Sequence, residues 1–141
     1  MVKIILELLS PTINYTPSDI KKIPLIFCDD RETITAIARQ CEKISKLDWD
    51  SFETSWDFQH HPLVAPAINR HYLRLADCWR DWERACDERF CQLKANEEEL
   101  NRIFIDIYGL QDELTPEVDD KDVTVRRADL GRDIRSLISY A

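Results

Sequence analysis

The stretch from Ala67 to Tyr108 contains neither glycine nor proline. So long a run without either breaker constrains the fold strongly, since these are the residues that end helices. Its larger side chains recur at Ile68, Tyr72, Leu75, Trp79, Trp82 and Cys86, in steps of four and three that keep them on one helical stripe. This is the spacing of a coiled-coil seam. An extra step of four, from Cys86 to Phe90, locally unwinds such a seam without ending the helix. The stripe then resumes through Leu93, Leu100, Phe104 and Ile107, with Glu97 as its one charged member. The pattern predicts one helix over 66–108, about 60 Å long at a rise of about 1.5 Å per residue. Such a helix is a spacer, an arm or a dimer seam. Gly109 is placed to stop it in the left-handed conformation.

A second stripe precedes it. Asp29 or Asp30 can cap a helix carrying Ile34, Ile37, Cys41, Ile44 and Leu47 at three-four spacing and ending near Asp48. Two stripes joined by a loop predict an antiparallel hairpin. The shorter helix, 31–47, covers about 25 Å and is expected against the first half of the long one, meeting Tyr72, Leu75, Trp79 and Trp82. Leu93, Leu100, Phe104 and Ile107 are then left as an apolar interaction seam, with only the C-terminal helix to cover them. A second copy of the chain is expected to fill that seam through an isologous contact.

The loop from Trp49 to Pro66 places Trp49, Phe52, Trp56 and Phe58 among Asp48, Asp50, Glu53 and Asp57. Rings gain by burial, and acidic neighbours repel phosphates, so packing is the expectation and base stacking the alternative. Upstream, Val2–Leu9 reads as a short helix or a buried strand. Residues 12–15 and 20–27 read as extended edge segments punctuated by Pro17 and Pro24. Downstream, Thr115 and Pro116 offer a helix start, Val123–Val125 a short strand, and Asp129 the cap of a last helix with Ile134, Leu137, Ile138 and Tyr140 on its apolar side. The expected fold is mainly α: a long helix forming an antiparallel hairpin or coiled coil, with short extended segments near the N-terminus. One domain spans 1–141, divided into an extended part (1–28), the hairpin (29–110), and a turn with a short C-terminal helix (111–141).

Composition suits such a fold. Of 141 residues 44% are hydrophobic and 33% charged, which argues against wholesale disorder. No apolar run reaches the roughly 18 residues that cross a bilayer, and Met1–Leu9 lacks the flank and cleavage site of a signal peptide. The expectation is a cytoplasmic protein without a membrane partner. Cys28, Cys41, Cys78, Cys86 and Cys91 lack paired spacing and read as reduced thiols. Zinc on Cys28, His60 and His61 lacks the usual ligand spacing, and the adjacent histidines read as solvated. The net charge of −8 makes this chain a poor solitary DNA binder, because affinity for DNA comes from clustered cations. Lys21-Lys22 and Arg126-Arg127 are the tight basic pairs, both read as solvated surface.

Catalytic machinery is absent from the pattern. Only Gly109 and Gly131 are present, neither in a nucleotide-binding turn, and no Pro-Pro pair occurs. The serines lack a glycine elbow, and the histidines at 60, 61 and 71 lack triad spacing. Glu97–Glu99 with Asp106 read as helix-surface charge rather than a metal site. No catalytic, cofactor-binding or metal-binding residue is therefore assigned.

Three segments carry a resemblance. Asn96–Leu110, continuing through Gln111-Asp112-Glu113-Leu114-Thr115-Pro116-Glu117-Val118, resembles a segment of the large adenine-specific DNA methyltransferases of BREX phage-defence systems, the PglX-like proteins, which are related to type IIG restriction-modification enzymes. Asp48–Phe58, followed by His61-Pro62-Leu63, is similar to a second. Asn14-Tyr15 with Asp19–Pro24 is similar to the region where the methyltransferase domain of these enzymes closes. The resemblance covers nearly the whole chain but a small slice of such an enzyme. It implies that 1–28 is the end of a methyltransferase domain and 29–110 a helical spacer toward target recognition. The spacer would position modules that methylate adenine with S-adenosylmethionine, contacting DNA only through the parent enzyme, whose other domains are its partners. The family's Asn- or Asp-Pro-Pro-Tyr or Phe site has no counterpart here. The alternative is a stand-alone coiled-coil interaction module; a reading frame continuing past Ala141 would favour the segment, a stop codon the module.

Overall fold

The computed structural model describes residues 16–23, 26, 30–65 and 74–141. Among the described residues four helices stand in order: α1 (Pro17–Ile20), α2 (Arg31–Trp49), α3 (Leu75–Tyr108) and α4 (Leu130–Tyr140). No strand occurs among the described residues. The fold is mainly α, with the long helix packed against another, as the stripes imply.

The long helix is shorter than expected. Arg74 is extended, at φ −70° and ψ 146°, so α3 begins at Leu75 and runs 34 residues, about 50 Å. Ile68 and Tyr72 lie outside the described residues. The C-terminal end follows the expectation: Gly109 has φ +66°. Its N–H bonds to Asp106 O at 3.2 Å, and the Leu110 N–H to Ile105 O at 3.0 Å. This paired closure satisfies carbonyls that the last turn leaves open.

The buried stripe of α3 is Cys78, Trp82, Cys86, Phe90, Leu93, Asn96 and Ile105. Steps of four dominate its first half, so the stripe drifts around the helix instead of keeping a heptad seam. Leu75, expected inside, is half exposed. Asn96 rather than Glu97 is the buried polar member, bonded to Gln92 at 2.9 Å and to Gln40 on α2 at 3.4 Å. The drift has a physical cause: different parts of the chain cover successive turns of α3.

Helix α2 runs antiparallel to α3, but not against the half expected. Cys41 and Ile44 pack on Phe90 and Leu93, and Gln40 reaches Asn96, so α2 lies over the middle and C-terminal part. The loop after α2 then carries Phe52 and Leu63 to Trp82 and Cys86. Short chain turns close that loop, including Ser55 Oγ to Asp50 at 2.6 Å.

After Gly109 the chain returns along α3 as a strap. Asn101 donates to Pro116 O at 3.1 Å, the Val118 N–H to Glu98 at 3.2 Å, Lys94 to Asp120 at 2.7 Å, and Arg127 to Asp87 at 2.8 Å. Numbers rise along one partner as they fall along the other. Residues 115–118 form no helix, because their backbone groups bond to α3 side chains instead. Val123 and Val125 are buried with Thr124 exposed between them, a strand-like alternation without a strand partner. Asp129 caps α4, accepting the Arg132 N–H at 2.6 Å. Ile134 and Leu137 join the cluster at Trp82 and Cys86, while Ile138 is 71% exposed.

Of the extended segments expected near the N-terminus, 12–15 and most of 24–29 lie outside the described residues, as does Val2–Leu9. Residues 17–23 differ from the expectation: they form α1 and a turn. Thr16 supplies the reason, since its N–H and hydroxyl both donate to Asp19, at 3.0 and 2.7 Å, and fix a helical turn.

Candidate functional site

The four residues expected to form an interaction seam are separated by the fold. Leu93 is 1% exposed, enclosed with Phe90, Val123 and Val125 inside this chain. Leu100 and Ile107 are half-buried, and Phe104 is exposed. The strap and α2, rather than a second copy, cover the upper part of the stripe. From Leu100 onward the stripe is only partly covered.

The aromatic loop divides as well. Phe52 is half-buried, with the Arg126 guanidinium 5.3 Å and that of Arg132 5.8 Å from its ring centroid. Phe58 meets Tyr140 edge-on at 5.7 Å. The two tryptophans behave otherwise: Trp49 is 56% exposed and Trp56 wholly so. Packing therefore accounts for half of the ring set. The Arg126-Arg127 pair is exposed, as expected for solvated surface, and its side chains also make contacts within the fold. Arg127 lies 3.9 Å above Phe90 and pairs with Asp87 and Asp120.

Buried polar groups gather where α2, the strap and α4 meet. Asp133 is 3% exposed and takes the Trp82 indole N–H at 2.9 Å, the Arg132 Nε at 2.6 Å and the Asp129 N–H at 3.1 Å. Burial raises its pKa, but the bonds from Arg132, Trp82 and Asp129 outweigh that and hold the carboxyl below its ordinary range. Asp48 is the counterexample. It is 8% exposed and its Oδ1 has no hydrogen-bond partner. Burial pushes its carboxyl up, against the opposing influence of Arg89, Arg126 and Arg132. It lines a cavity of about 460 Å³ together with Trp49, Phe52, Glu53, Thr124 and Arg126.

The pattern of sequence stripes does not single out Asp48. One signal was present: a carboxylate in the last turn of a helix opposes the helix dipole. Next to this cavity, Cys86 is buried and its thiol is pushed up to about 11, chiefly by burial, which removes it from nucleophilic chemistry. His61 is buried, not solvated, and accepts the Leu63 N–H on Nδ1 at 3.2 Å. Burial lowers its pKa and favours the neutral ring. Cys41, Cys78, Cys86 and Cys91 are unpaired; Cys28 and His71 lie outside the described residues. Among the described residues no group of three or more His, Cys, Asp or Glu side chains is arranged to hold a metal ion. No helix among them is long and apolar enough to cross a membrane.

The glycines do not fit an S-adenosylmethionine turn. Gly109 closes α3 and Gly131 sits in the first turn of α4, so neither follows a strand where backbone could approach that cofactor. A second cavity, of about 890 Å³, is an open groove between α2 and α3 floored by Ile44, Leu47, Trp82 and Ala85.

No protein-family model matches the chain, and no solved structure matches it. Two curated relatives do. The adenine-specific methyltransferase PglX of Lacticaseibacillus casei (strain Zhang) is 46% identical over 136 residues, which is 96% of this chain and 11% of the relative. The adenine-specific methyltransferase BrxX of Escherichia coli O9:H4 (strain HS) is 33% identical over 109 residues, 77% of this chain and 8% of the relative. The chain thus spans about a tenth of the length of the curated relatives it matches, and it is homologous to a segment of adenine-specific methyltransferases of the PglX and BrxX kind.

Proposed function

We propose that this chain is a non-catalytic helical brace within a site-specific N6-adenine DNA methyltransferase of a phage-defence system, cytoplasmic, holding catalytic and target-recognition modules at a fixed separation. The observation that carries the reading is the strap. A helix of 34 residues is tied down from Asn101 to Trp82 by bonds from its own chain, which makes it a strut rather than a free arm. Homology to about a tenth of each methyltransferase agrees with a part that serves a larger whole. The absence of a Pro-Pro pair and of a glycine turn from the sequence supports a non-catalytic role, with S-adenosylmethionine held elsewhere in the parent enzyme. Calorimetric titration of the chain with S-adenosylmethionine tests this. No heat of binding is expected; stoichiometric micromolar binding would contradict it.

The partner surface in this reading is the lower end of the seam, Leu100, Phe104 and Ile107, with Leu93 as its anchor in the core. Other domains of the parent enzyme cover it there, and a second copy covers it when the chain is alone. Light scattering should show dimers that Leu100→Glu with Phe104→Glu abolishes; a monomer at high concentration would refute the homodimer and leave the brace untouched. The alternative, a stand-alone module that binds a partner helix, draws on the open groove between α2 and α3.

A further inference from the structure

The unpartnered oxygen of Asp48 is explained by neither the brace nor the homology. Buried carboxylate oxygens are almost always bonded, and an orphan one on a side chain that also lines a cavity points to a carboxylate short of donors. Three guanidiniums lie near it, yet each is engaged elsewhere. Arg89 donates to Ala85 O at 3.1 Å and to Ser51 at 3.3 Å. Arg132 is held by Asp133, and Arg126 lies over Phe52.

Further features describe what would satisfy it. Trp49, beside Asp48 in sequence and in the cavity wall, presents an indole that is 56% exposed. Glu53 adds a second carboxylate to the wall, so its acids outnumber its one cation, Arg126. The volume of about 460 Å³ accepts one long side chain but is small for a folded element. A flat cation that donates several N–H groups and can lie against an indole face fits these conditions; an ammonium meets the charge but not the planar fork.

We propose that this cavity receives an arginine side chain from a part of the parent methyltransferase outside this chain, its guanidinium bonding the Asp48 carboxylate and facing Trp49. The net charge of −8 favours a basic counterpart, and about nine-tenths of each relative's length lies beyond the matched segment. The choice of source rests on the brace reading; the chemistry of the cavity does not. The pocket is thus an anchor point by which the brace is fixed to its neighbour.

The test uses the whole chain and blocked tripeptides, acetyl-Gly-Arg-Gly-amide and the same peptide with citrulline, which keeps the planar shape but loses the charge and replaces one NH2 donor by a carbonyl oxygen. Nuclear magnetic resonance titration follows the Trp49 indole N–H and the Arg126 backbone N–H. The arginine peptide is expected to shift both and to bind at least about tenfold tighter than citrulline, the order expected from one charge-assisted contact of about 1.4 kcal/mol or more. Asp48→Asn should remove the preference, and Trp49→Ala, at an exposed position, should weaken binding without unfolding the chain. Equal binding of the two peptides, or no shift at Trp49 with either, would overturn the assignment. Failure here would leave the brace standing, because the titration with S-adenosylmethionine is independent of this cavity.

Discussion

The indole N–H of Trp82 on α3 donates to the Asp133 carboxylate on α4 across 2.9 Å, in the interior and 51 residues apart in sequence. That bond ties the returning end of the chain to the first half of the long helix. Replacing Asp133 by Ala strands the indole N–H and leaves the Arg132 guanidinium with its bond to Arg127 O. The expected loss is about 3 kcal/mol in urea unfolding, the order for breaking a buried charged network. Its pH dependence has a definite sign. The folded carboxyl titrates below its ordinary value, so its contribution is complete above about pH 4 and is lost as pH falls through the folded pKa. Asp133→Asn should lack that acid-side component; an unaltered acid limb would remove Asp133 from the account.

Asp48 works in the opposite direction. Its pKa is raised, chiefly by burial, so the folded state binds the proton more tightly than the unfolded one. Stability should therefore rise as pH falls through the raised folded value toward about 4, where the unfolded group titrates. Asp48→Asn should raise the urea midpoint at pH 7, with the gain shrinking toward pH 4. A lower midpoint in the variant would mean that the nearby arginines more than compensate the buried charge.

Asn96 tests the polar joint between the helices. It is 7% exposed, bonded to Gln92 and to Gln40, and Gln40 lies where water can replace it. Asn96→Leu should increase stability by about 1 kcal/mol, as buried polar-to-apolar replacements of similar volume do when partners remain solvated. A destabilised variant would show that the amide bonds exceed their desolvation cost.

Much of this architecture was legible in the residues. The stripe Ile34, Ile37, Cys41, Ile44 identified α2, Gly109 the end of α3, and Asp129 the start of α4, because each rests on local chemistry. What stayed hidden depends on partners distant in sequence. Asp120, Arg127 and Asp133 reach back to α3 across 26 to 51 residues, and no periodicity encodes that return. The heptad reading failed at Leu75 for the same reason: α3 is covered by different segments at successive turns, so its buried face drifts. Trp49 and Trp56 were expected to be buried because large rings usually are, and their exposure is information that only the fold supplies. Asp48 announced itself weakly, as a carboxylate at the wrong end of a helix.

In the proposed brace, the strap holds α3 rigid so that the parent methyltransferase keeps its modules aligned. Val123 and Val125 are 8% and 4% exposed, and a charge at either position cannot share the cluster with Phe90 and Leu93. The most direct measurement is therefore adenine methylation by the full-length enzyme carrying Val123→Asp with Val125→Asp, alongside its affinity for S-adenosylmethionine. The account predicts at least about a tenfold fall in kcat/KM for DNA, the scale on which slight misplacement of reacting groups acts, with cofactor affinity unchanged. Undiminished methylation by a variant whose strap is shown by hydrogen exchange to have detached from α3 would contradict it.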